Sequence, residues 1–189
     1  MKNHWDKHLN VKALIQERKP SVVVECGAGS GDNTKNLLEA RDALGFRLVV
    51  INDDGGNFKP EEWRKQGVDW RSGISYLELQ KFSDGEIDFC LIDTDHNYWT
   101  LKTELETLHP KMKPKGVCVI HDTETYGHES GHMTEYNTPK VPYPFAEIDE
   151  YQRMGLSLVA AIGQAVTSGQ YRWVAQSAES HGAMALERL

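Results

Sequence analysis

The stretch from Ser21 to Thr34 constrains the fold of this chain more than any other part of the sequence. Three consecutive valines, Val22 to Val24, predict a strand that is buried on both faces, as strands inside a parallel sheet are. Glycines then alternate through a tight loop, at Gly27, Gly29 and Gly31. Glycine permits positive φ angles and lets a ligand approach the backbone. Helix-starting residues follow, so the stretch predicts a strand, a glycine loop and a helix whose first N–H groups point towards the loop.

A strand, glycine loop and helix of this kind bind nucleotide-like ligands. The loop has the spacing G-x-G-x-G, and Asp32 stands where the dinucleotide fingerprint G-x-G-x-x-G has its third glycine. No Lys-Ser or Lys-Thr pair closes the loop, which argues against a phosphate-binding P-loop. Glu25 lies two residues before the first glycine, where a carboxylate suits a cationic amino group better than a pyrophosphate. The alternative is an ordinary glycine-rich turn.

Length, charge and cysteine usage limit the class of protein. A chain of 189 residues is expected to form one domain over residues 1–189. The net charge of −7 and a pI near 5.6 argue against charge-driven binding to nucleic acid or to a membrane. The sequence shows neither a membrane-spanning apolar stretch nor a signal peptide. Cys26, Cys90 and Cys118 fall in or at the end of apolar, strand-like runs, which predicts reduced thiols and a cytoplasmic protein.

Strand and helix patterns alternate along the rest of the chain. This alternation implies right-handed crossovers and an α/β fold with a doubly wound, mostly parallel, seven-stranded sheet. The strands predicted after the first one are residues 47–51, 68–71, 86–92, 116–120, 171–176 and 183–186. The predicted helices are one before Pro20 containing Trp5 to Ile15, a short one at 60–66, a short one after Ser75, one from Tyr98 that Pro110 closes, and one from Phe145 to Val166.

Residues 123–144 interrupt this alternation. They contain glycines, prolines, His128 and His132, with no clear period. A loop of this length in a compact domain is usually functional or disordered, and it follows the carboxyl end of the fifth strand, where open α/β sheets bind ligands. We therefore expect a substrate-side loop here, with both histidines as loop residues.

The end of the second predicted strand carries Asn52, Asp53 and Asp54. A carboxylate at this place can accept hydrogen bonds from both hydroxyls of a ribose. Either aspartate could be the partner, and Asn52 is a further candidate. The alternative is a solvated turn, because Asp-Asp-Gly-Gly is also a good turn sequence.

The glycine loop with Glu25 resembles the first motif, (D/E)-x-G-x-G-x-G, of class I S-adenosylmethionine-dependent methyltransferases. That resemblance implies a Rossmann-like methyltransferase fold and S-adenosylmethionine as cofactor. In that family the end of the third strand usually encloses the adenine, which places Ser72 to Ile74 there. The cofactor-binding residues so implied are Glu25, Gly27, Ala28, Gly29, Ser30, Gly31, Asn33, Thr34, Asn52, Asp53, Asp54, Ser72, Gly73, Ile74 and Asp93.

The block from Leu91 to Thr123 resembles the class I methyltransferases related to catechol O-methyltransferase and to sugar or antibiotic-tailoring O-methyltransferases. In those enzymes, acidic residues after the fourth and fifth strands bind a divalent cation. The resemblance therefore implies Asp93 and Asp122 as ligands of Mg²⁺ or another divalent cation. The chain departs from the catechol type in two places. Thr123 replaces an asparagine, and His96 replaces the lysine that serves as base.

A histidine at this place is chemically reasonable. Methyl transfer to a hydroxyl needs a deprotonated, aligned oxygen, which a metal can help to form and a nearby base can complete. Histidine titrates near neutral pH, and in the sugar O-methyltransferases with this D-x-x-H spacing a histidine is the base. His96 is accordingly the predicted base and His121 the next candidate. Alternatively, His96 caps the following helix or binds a backbone carbonyl.

These patterns predict an S-adenosylmethionine-dependent methyltransferase that modifies a hydroxyl of a small molecule with metal assistance. One alternative is a methyltransferase acting on RNA or protein, although neither a basic groove nor a Lys-Asp-Lys-Glu-like set is evident. The other is a non-catalytic nucleoside-binding module, which would bind the methyl donor without turnover. The sequence leaves open the acceptor and the formation of a homo-oligomer.

Overall fold

The computed structural model describes residues 11–53, 59–124, 145–178 and 181–189. The strands within these ranges are β1 (Val22–Cys26), β2 (Arg47–Asn52), β3 (Asp69–Ser72), β4 (Ile87–Ile92), β5 (Met112–His121), β6 (Tyr171–Ser177) and β7 (Ala183–Arg188). The helices are α1 (Val11–Arg18), α2 (Asp32–Leu44), α3 (Pro60–Lys65), α4 (Ser75–Leu79), α5 (Tyr98–Lys111), α6 (Phe145–Arg153) and α7 (Leu158–Thr167).

All seven strands belong to one sheet in the order β3-β2-β1-β4-β5-β7-β6. Strands β1 to β5 are parallel, whereas β7 runs antiparallel to both β5 and β6. The predicted α/β fold with a mostly parallel seven-stranded sheet is therefore confirmed. The strand order reverses beside β1, and the carboxyl ends of the five parallel strands meet at one edge, the position where open α/β sheets bind ligands.

Helices cover both faces of the sheet because alternate side chains of each buried strand point to opposite sides. Val24 and Cys26 of β1 belong to a core cluster with Leu101 of α5 and Leu158 of α7. Val23 belongs to a second cluster, formed with α1 and α2. The near-continuous apolar strands predicted from sequence are the strands between these two layers.

The cysteine prediction is confirmed as far as the thiols are concerned. Cys26, Cys90 and Cys118 are free and buried, and all three lie in the same core cluster. The neighbouring Cys90 thiol raises the pKa of Cys26, the Cys118 thiol raises the pKa of Cys90, and burial raises both further. Among the described residues, no helix has the length and apolar character needed to cross a membrane.

Three boundaries differ from the sequence prediction. The helix predicted over residues 145–166 is two helices, because Gly155 in the segment between α6 and α7 has φ +71°. Pro110 lies inside the last turn of α5 instead of closing the helix. Strand β5 begins at Met112 and not at residue 116, and its register with β4 shifts through an irregular stretch in which Lys115 has φ +65°.

Some predictions fall on residues that the structure does not describe. These are Trp5 and Leu9 of the first predicted helix, Asp54, the loop histidines and nearly all of the predicted substrate-side loop. They stay predictions.

Candidate active site

Gly27 forms the base of the glycine loop and lies against the segment that follows β4. Its φ angle is +84°, and a Cβ at this place would lie 2.0 Å from the carbonyl oxygen of Asp93. The Gly27 N–H donates to the carbonyl of Ile51 at 2.9 Å. Only glycine fits this close approach of two backbones, so the loop is pinned at its base between β2 and the end of β4.

The tip of the loop faces open space. Gly29 is exposed, has φ +46°, and a Cβ added there would meet nothing within 4 Å. Gly31 then precedes α2 with φ +82°, and its N–H donates to the carbonyl of Ala28 at 2.7 Å. The loop is thus closely packed at its base and open at its tip, where the sequence predicts the ligand.

Glu25 is fully buried beneath the loop. The Thr34 hydroxyl donates to Glu25 Oε2 at 2.7 Å, whereas Glu25 Oε1 is buried and has no hydrogen-bond partner among the described residues. Burial raises the pKa of this carboxyl to about 8 against the opposing effect of the Thr34 hydrogen bond, and the negative charge of Asp93 raises it further. One acceptor oxygen thus stays unused below the loop, as expected of a carboxyl that awaits a cationic partner.

The ends of β2 and β3 lie next to the loop and are tied to it. Asn52 Oδ1 accepts a hydrogen bond from the Ala28 N–H at 2.9 Å, and the Asn52 carbonyl accepts from the Gly73 N–H at 3.0 Å. Asn52, predicted as a possible ribose partner, therefore supports the loop with its side chain. Asp53 follows it and is half-buried. Ile74 stands immediately before α4 in an extended conformation.

A cluster of titratable side chains lies beyond the ends of β4 and β5. Asp93, His96 and Asp122 each offer one ligand atom, and these atoms all lie within 4.8 Å of one another. His96 Nε2 is 2.7 Å from Asp122 Oδ2. His121 Nδ1 is 2.9 Å from Asp122 Oδ1 and 3.4 Å from Asp93 Oδ1. The structure thus brings together the two predicted metal ligands and both predicted bases.

The electrostatics of this cluster follow from two carboxylates facing two imidazoles. Burial alone would lower the pKa of His121, but Asp122 and Asp93 outweigh it and raise that pKa to about 10. Burial likewise opposes ionisation of Asp122, yet His121 and His96 hold its pKa well below the ordinary range. Asp122 also has φ +61°, a conformation that non-glycine residues adopt rarely and that is concentrated at functional sites.

The loop and the cluster form one continuous site. Asn33 in the first turn of α2 donates from Nδ2 to Asp93 Oδ2 at 2.9 Å. The Asp93 N–H donates to the carbonyl of Cys26 at 2.8 Å, at the end of β1. Asp93 is therefore held between the predicted cofactor loop and the predicted metal cluster.

A match to a protein-family model shows the family of this chain. A family model described as a methyltransferase domain matches residues 24–123, more than half of the chain. The chain belongs to this methyltransferase family. The matched range starts in β1 and ends just beyond Asp122, so it contains both the glycine loop and the acidic cluster. No curated protein sequence matches this methyltransferase.

Solved structures share its fold over nearly its whole length. SAH-bound methyltransferase PaMTH1 of Podospora anserina has a TM-score of 0.68 at 14% identity, over 94% of this chain and 76% of that one. A candidate caffeoyl-CoA O-methyltransferase of Staphylococcus aureus has a TM-score of 0.64 at 14% identity, over 95% and 81%. A candidate O-methyltransferase of Klebsiella pneumoniae has a TM-score of 0.64 at 15% identity, over 98% and 83%. The predicted resemblance to class I S-adenosylmethionine-dependent methyltransferases is confirmed.

Sequence reasoning missed two features of the methyltransferase site. The Asn52 side chain accepts a hydrogen bond from the glycine loop, although its position at the strand end alone suggested a contact with the ligand. Glu104, in the middle of α5, is a fully buried carboxyl that contacts the segment carrying Asp93. Its sequence signal is an acidic residue three positions after Leu101 and one before Leu105, on the mostly apolar face of α5.

The raised pKa of Glu25 makes the stability of this methyltransferase depend on pH. The carboxyl stays protonated in the folded state up to about pH 8, whereas its ordinary pKa is 4.5. The free energy of unfolding should therefore be highest below pH 4.5 as far as Glu25 is concerned, and should fall by a few kcal/mol as the pH rises to about 8. Glu25→Gln keeps the shape and should flatten part of this slope.

Urea unfolding at intervals from pH 5 to pH 9 measures this effect as the difference between wild type and Glu25→Gln. The exposed Glu39 of the same α2 helix offers a matched control, and Glu39→Gln should keep the wild-type slope. Equal slopes in wild type and Glu25→Gln would contradict the prediction.

Proposed function

We propose that this methyltransferase transfers the methyl group of S-adenosylmethionine to a hydroxyl of a small molecule, with a divalent cation held by Asp93 and Asp122. The observation that carries the proposal is the convergence of Asp93, His96 and Asp122 within 4.8 Å directly beside the glycine loop. Cofactor loop and acidic cluster share Asp93, so a methyl donor on the loop lies next to an acceptor held at the cluster.

The cofactor side uses the ends of the first three strands. The open space at Gly29 lets the methyl donor lie close to the backbone of the loop. The unused oxygen of Glu25 provides an acceptor for the cationic amino group of the donor. Of the two aspartates predicted as ribose partners, the structure describes Asp53, which directly follows β2, and its carboxylate would accept hydrogen bonds from the ribose hydroxyls. Ser72 to Ile74, at the end of β3, form the adenine side.

The donor set of the cluster fits a divalent cation. Two carboxylates supply the hard oxygen ligands that Mg²⁺ prefers. Mg²⁺ bound by two carboxylates would have further coordination positions for water or a substrate oxygen. The imidazole of His96 is close enough to be a third donor, which would suit other divalent metals as well. A bound cation would lower the pKa of the acceptor hydroxyl and orient its oxygen towards the methyl group.

His96 is the better placed of the two candidate bases. Nδ1 of His121 lies 2.9 Å from Asp122 Oδ1 and 3.4 Å from Asp93 Oδ1, so it is engaged by both proposed metal ligands. His96 Nε2 lies 2.7 Å from Asp122 Oδ2, and the His96 side chain is 28% exposed against 10% for His121, so His96 is the more accessible to an acceptor. In the proposed reaction His96 accepts the acceptor proton, while Asp122 orients the imidazole and stabilises its protonated form.

Calorimetry with S-adenosylhomocysteine tests the cofactor half of the proposal. Wild type should bind with a dissociation constant in the micromolar range, equivalent to about 8 kcal/mol. Gly29→Val should abolish binding, because a branched side chain would fill the space at the loop tip. Gly45→Val is the matched control, since Gly45 also has positive φ and open space around it but lies at the far end of α2.

Binding by wild type and Gly45→Val but not by Gly29→Val would support the site. Binding of NAD in place of S-adenosylhomocysteine, or equal affinity in both glycine variants, would overturn it. Methyl transfer to no member of a panel of hydroxylated acceptors, despite tight binding, would favour a non-catalytic module.

A further inference from the structure

The proposed reaction does not use Glu104, one of the buried carboxyls among the described residues. Glu104 of α5 is fully buried, and burial raises its pKa to about 8 against the opposing hydrogen bonds from Ser75 and Thr94. At neutral pH it is therefore mostly protonated and uncharged. Burying a carboxyl costs free energy, and hydrogen bonds that hold a specific arrangement of segments together offset this cost.

The two hydroxyls that bind Glu104 come from two different parts of the site. Ser75, the first residue of α4, donates to Glu104 Oε1. The hydroxyl oxygen of Thr94 lies 2.9 Å from each of the two carboxyl oxygens of Glu104. Ser75 directly follows the predicted adenine side, and Thr94 directly follows Asp93. Glu104 thus connects the adenine side of the cleft with the segment that carries the acidic cluster.

The remaining contacts close this connection into a ring. Ala28 in the glycine loop donates to the side chain of Asn52, and Gly73 donates to the Asn52 carbonyl. On the other side, Asp93 donates to the carbonyl of Cys26 just before the loop. Going around, the hydrogen bonds pass from the loop to the end of β2, the end of β3, α4, Glu104, the segment after β4 and back to the loop.

We propose that Glu104 is a positioning residue that fixes the separation between the adenine side of the cleft and the segment from Asp93 to Asn97. The inference rests on the proposed function, since it assumes that a methyl donor binds inside this ring. Without Glu104 the ring is open between Ser75 and Thr94. The adenine side and the segment from Asp93 to Asn97 would then lose their hydrogen-bonded link through α5, and would keep the links through the glycine loop and the shared sheet.

Two substitutions separate the hydrogen bonds of Glu104 from its volume. Glu104→Gln offers one acceptor and one donor, as the protonated carboxyl does, and should keep the ring closed. Glu104→Leu fills a similar space but cannot bind either hydroxyl. Leu108→Ala is the matched control, because Leu108 is fully buried on the same helix but packs in the core cluster and should lower stability without touching the ring.

Calorimetry with S-adenosylhomocysteine, well below the unfolding temperatures of all variants, gives the first measurement. The dissociation constant should rise about tenfold in Glu104→Leu, the loss expected for one or two buried hydrogen bonds. It should stay within about twofold of wild type in Glu104→Gln and in Leu108→Ala, although Leu108→Ala unfolds at a lower temperature. An equal rise in Glu104→Leu and Leu108→Ala would overturn the proposal, because a general loss of stability would explain both.

Amide hydrogen exchange gives a second measurement that needs no ligand. The N–H groups of Gly73 and Asp93 are hydrogen-bonded on the two sides of the ring, and both should lose protection in Glu104→Leu relative to Leu108→Ala and regain it in Glu104→Gln. Unchanged protection in Glu104→Leu would overturn the positioning role. Failure of wild type to bind S-adenosylhomocysteine would instead reject the proposed function. The exchange data would still decide whether Glu104 holds the adenine side of the cleft at a fixed distance from the segment of Asp93 to Asn97.

Discussion

Replacing His96 by alanine should lower the rate of methyl transfer by roughly 10²–10⁴, the usual contribution of a general base. The expectation rests on the 2.7 Å approach of His96 Nε2 to Asp122 and on the neighbouring Asp93. The variant should still bind S-adenosylhomocysteine, because the hydrogen bonds that form the ring around the glycine loop are made by other residues than His96. The rate is measured as S-adenosylhomocysteine released with an acceptor found by screening hydroxylated small molecules.

The pH profile and the metal dependence separate the two roles open to His96. If it is the base, the wild-type rate should fall on the acidic side as the imidazole becomes protonated, and His96→Ala should lack this fall. If it is a metal ligand, the concentration of Mg²⁺ needed for activity should rise instead. His109→Ala is the matched histidine control, because His109 lies at the other end of α5 in an edge-to-face contact with Tyr171, and it should keep the wild-type profile.

An unaltered pH profile in His96→Ala would reject His96 as the base. Full wild-type activity in an excess of chelator would reject the cation as well. The methyltransferase assignment would survive either result, since it rests on the family match and the fold.

Alanine at Gly27 should lower the free energy of unfolding by roughly 3–5 kcal/mol, at the upper end of the range for single substitutions. Two effects add. The φ angle of +84° strains any residue with a β-carbon, and that carbon would lie 2.0 Å from the Asp93 carbonyl oxygen, so a backbone segment must move. Since small proteins are stable by only about 5–15 kcal/mol, this one methyl group should remove a large part of the total.

Gly45→Ala separates strain from overlap. Gly45 has a similar φ of +80°, but no atom lies within 4 Å of the place where its Cβ would be, so alanine there should cost only about 1–2 kcal/mol. Urea unfolding of both variants at one pH measures the difference. Equal losses in Gly27→Ala and Gly45→Ala would show that the close approach between the loop and the end of β4 has no energetic weight.

Much of the fold was predictable because its signals are local. Three adjacent valines directly before a glycine loop predict a strand buried on both faces, and the alternation of apolar runs with helical spacing predicts parallel strands and crossovers. The same locality explains the errors. A single helix was predicted across Gly155, because an apolar stripe continues past it, whereas the backbone at that glycine turns to positive φ.

The placement of candidate site residues was predictable where a residue follows directly from the end of a strand. Asp93 and Asp122 terminate neighbouring parallel strands, so their proximity follows from strand order. Asn52 and Asp53 were indistinguishable on the same grounds. Only the structure shows that the Asn52 amide supports the glycine loop, because that contact joins residues 24 positions apart.

The sequence by itself determined the strand, glycine loop and helix, the order of the elements, the family resemblance and the acidic residues at the strand ends. These properties depend on neighbouring residues and on spacing along one chain. The tertiary structure decided the 2.0 Å constraint at Gly27, the burial of Glu25 beneath the loop, the convergence of His96 on the acidic pair and the link through Glu104. Each of these depends on distances and solvent exclusion between segments far apart in the chain, which arise only when the helices pack on the sheet.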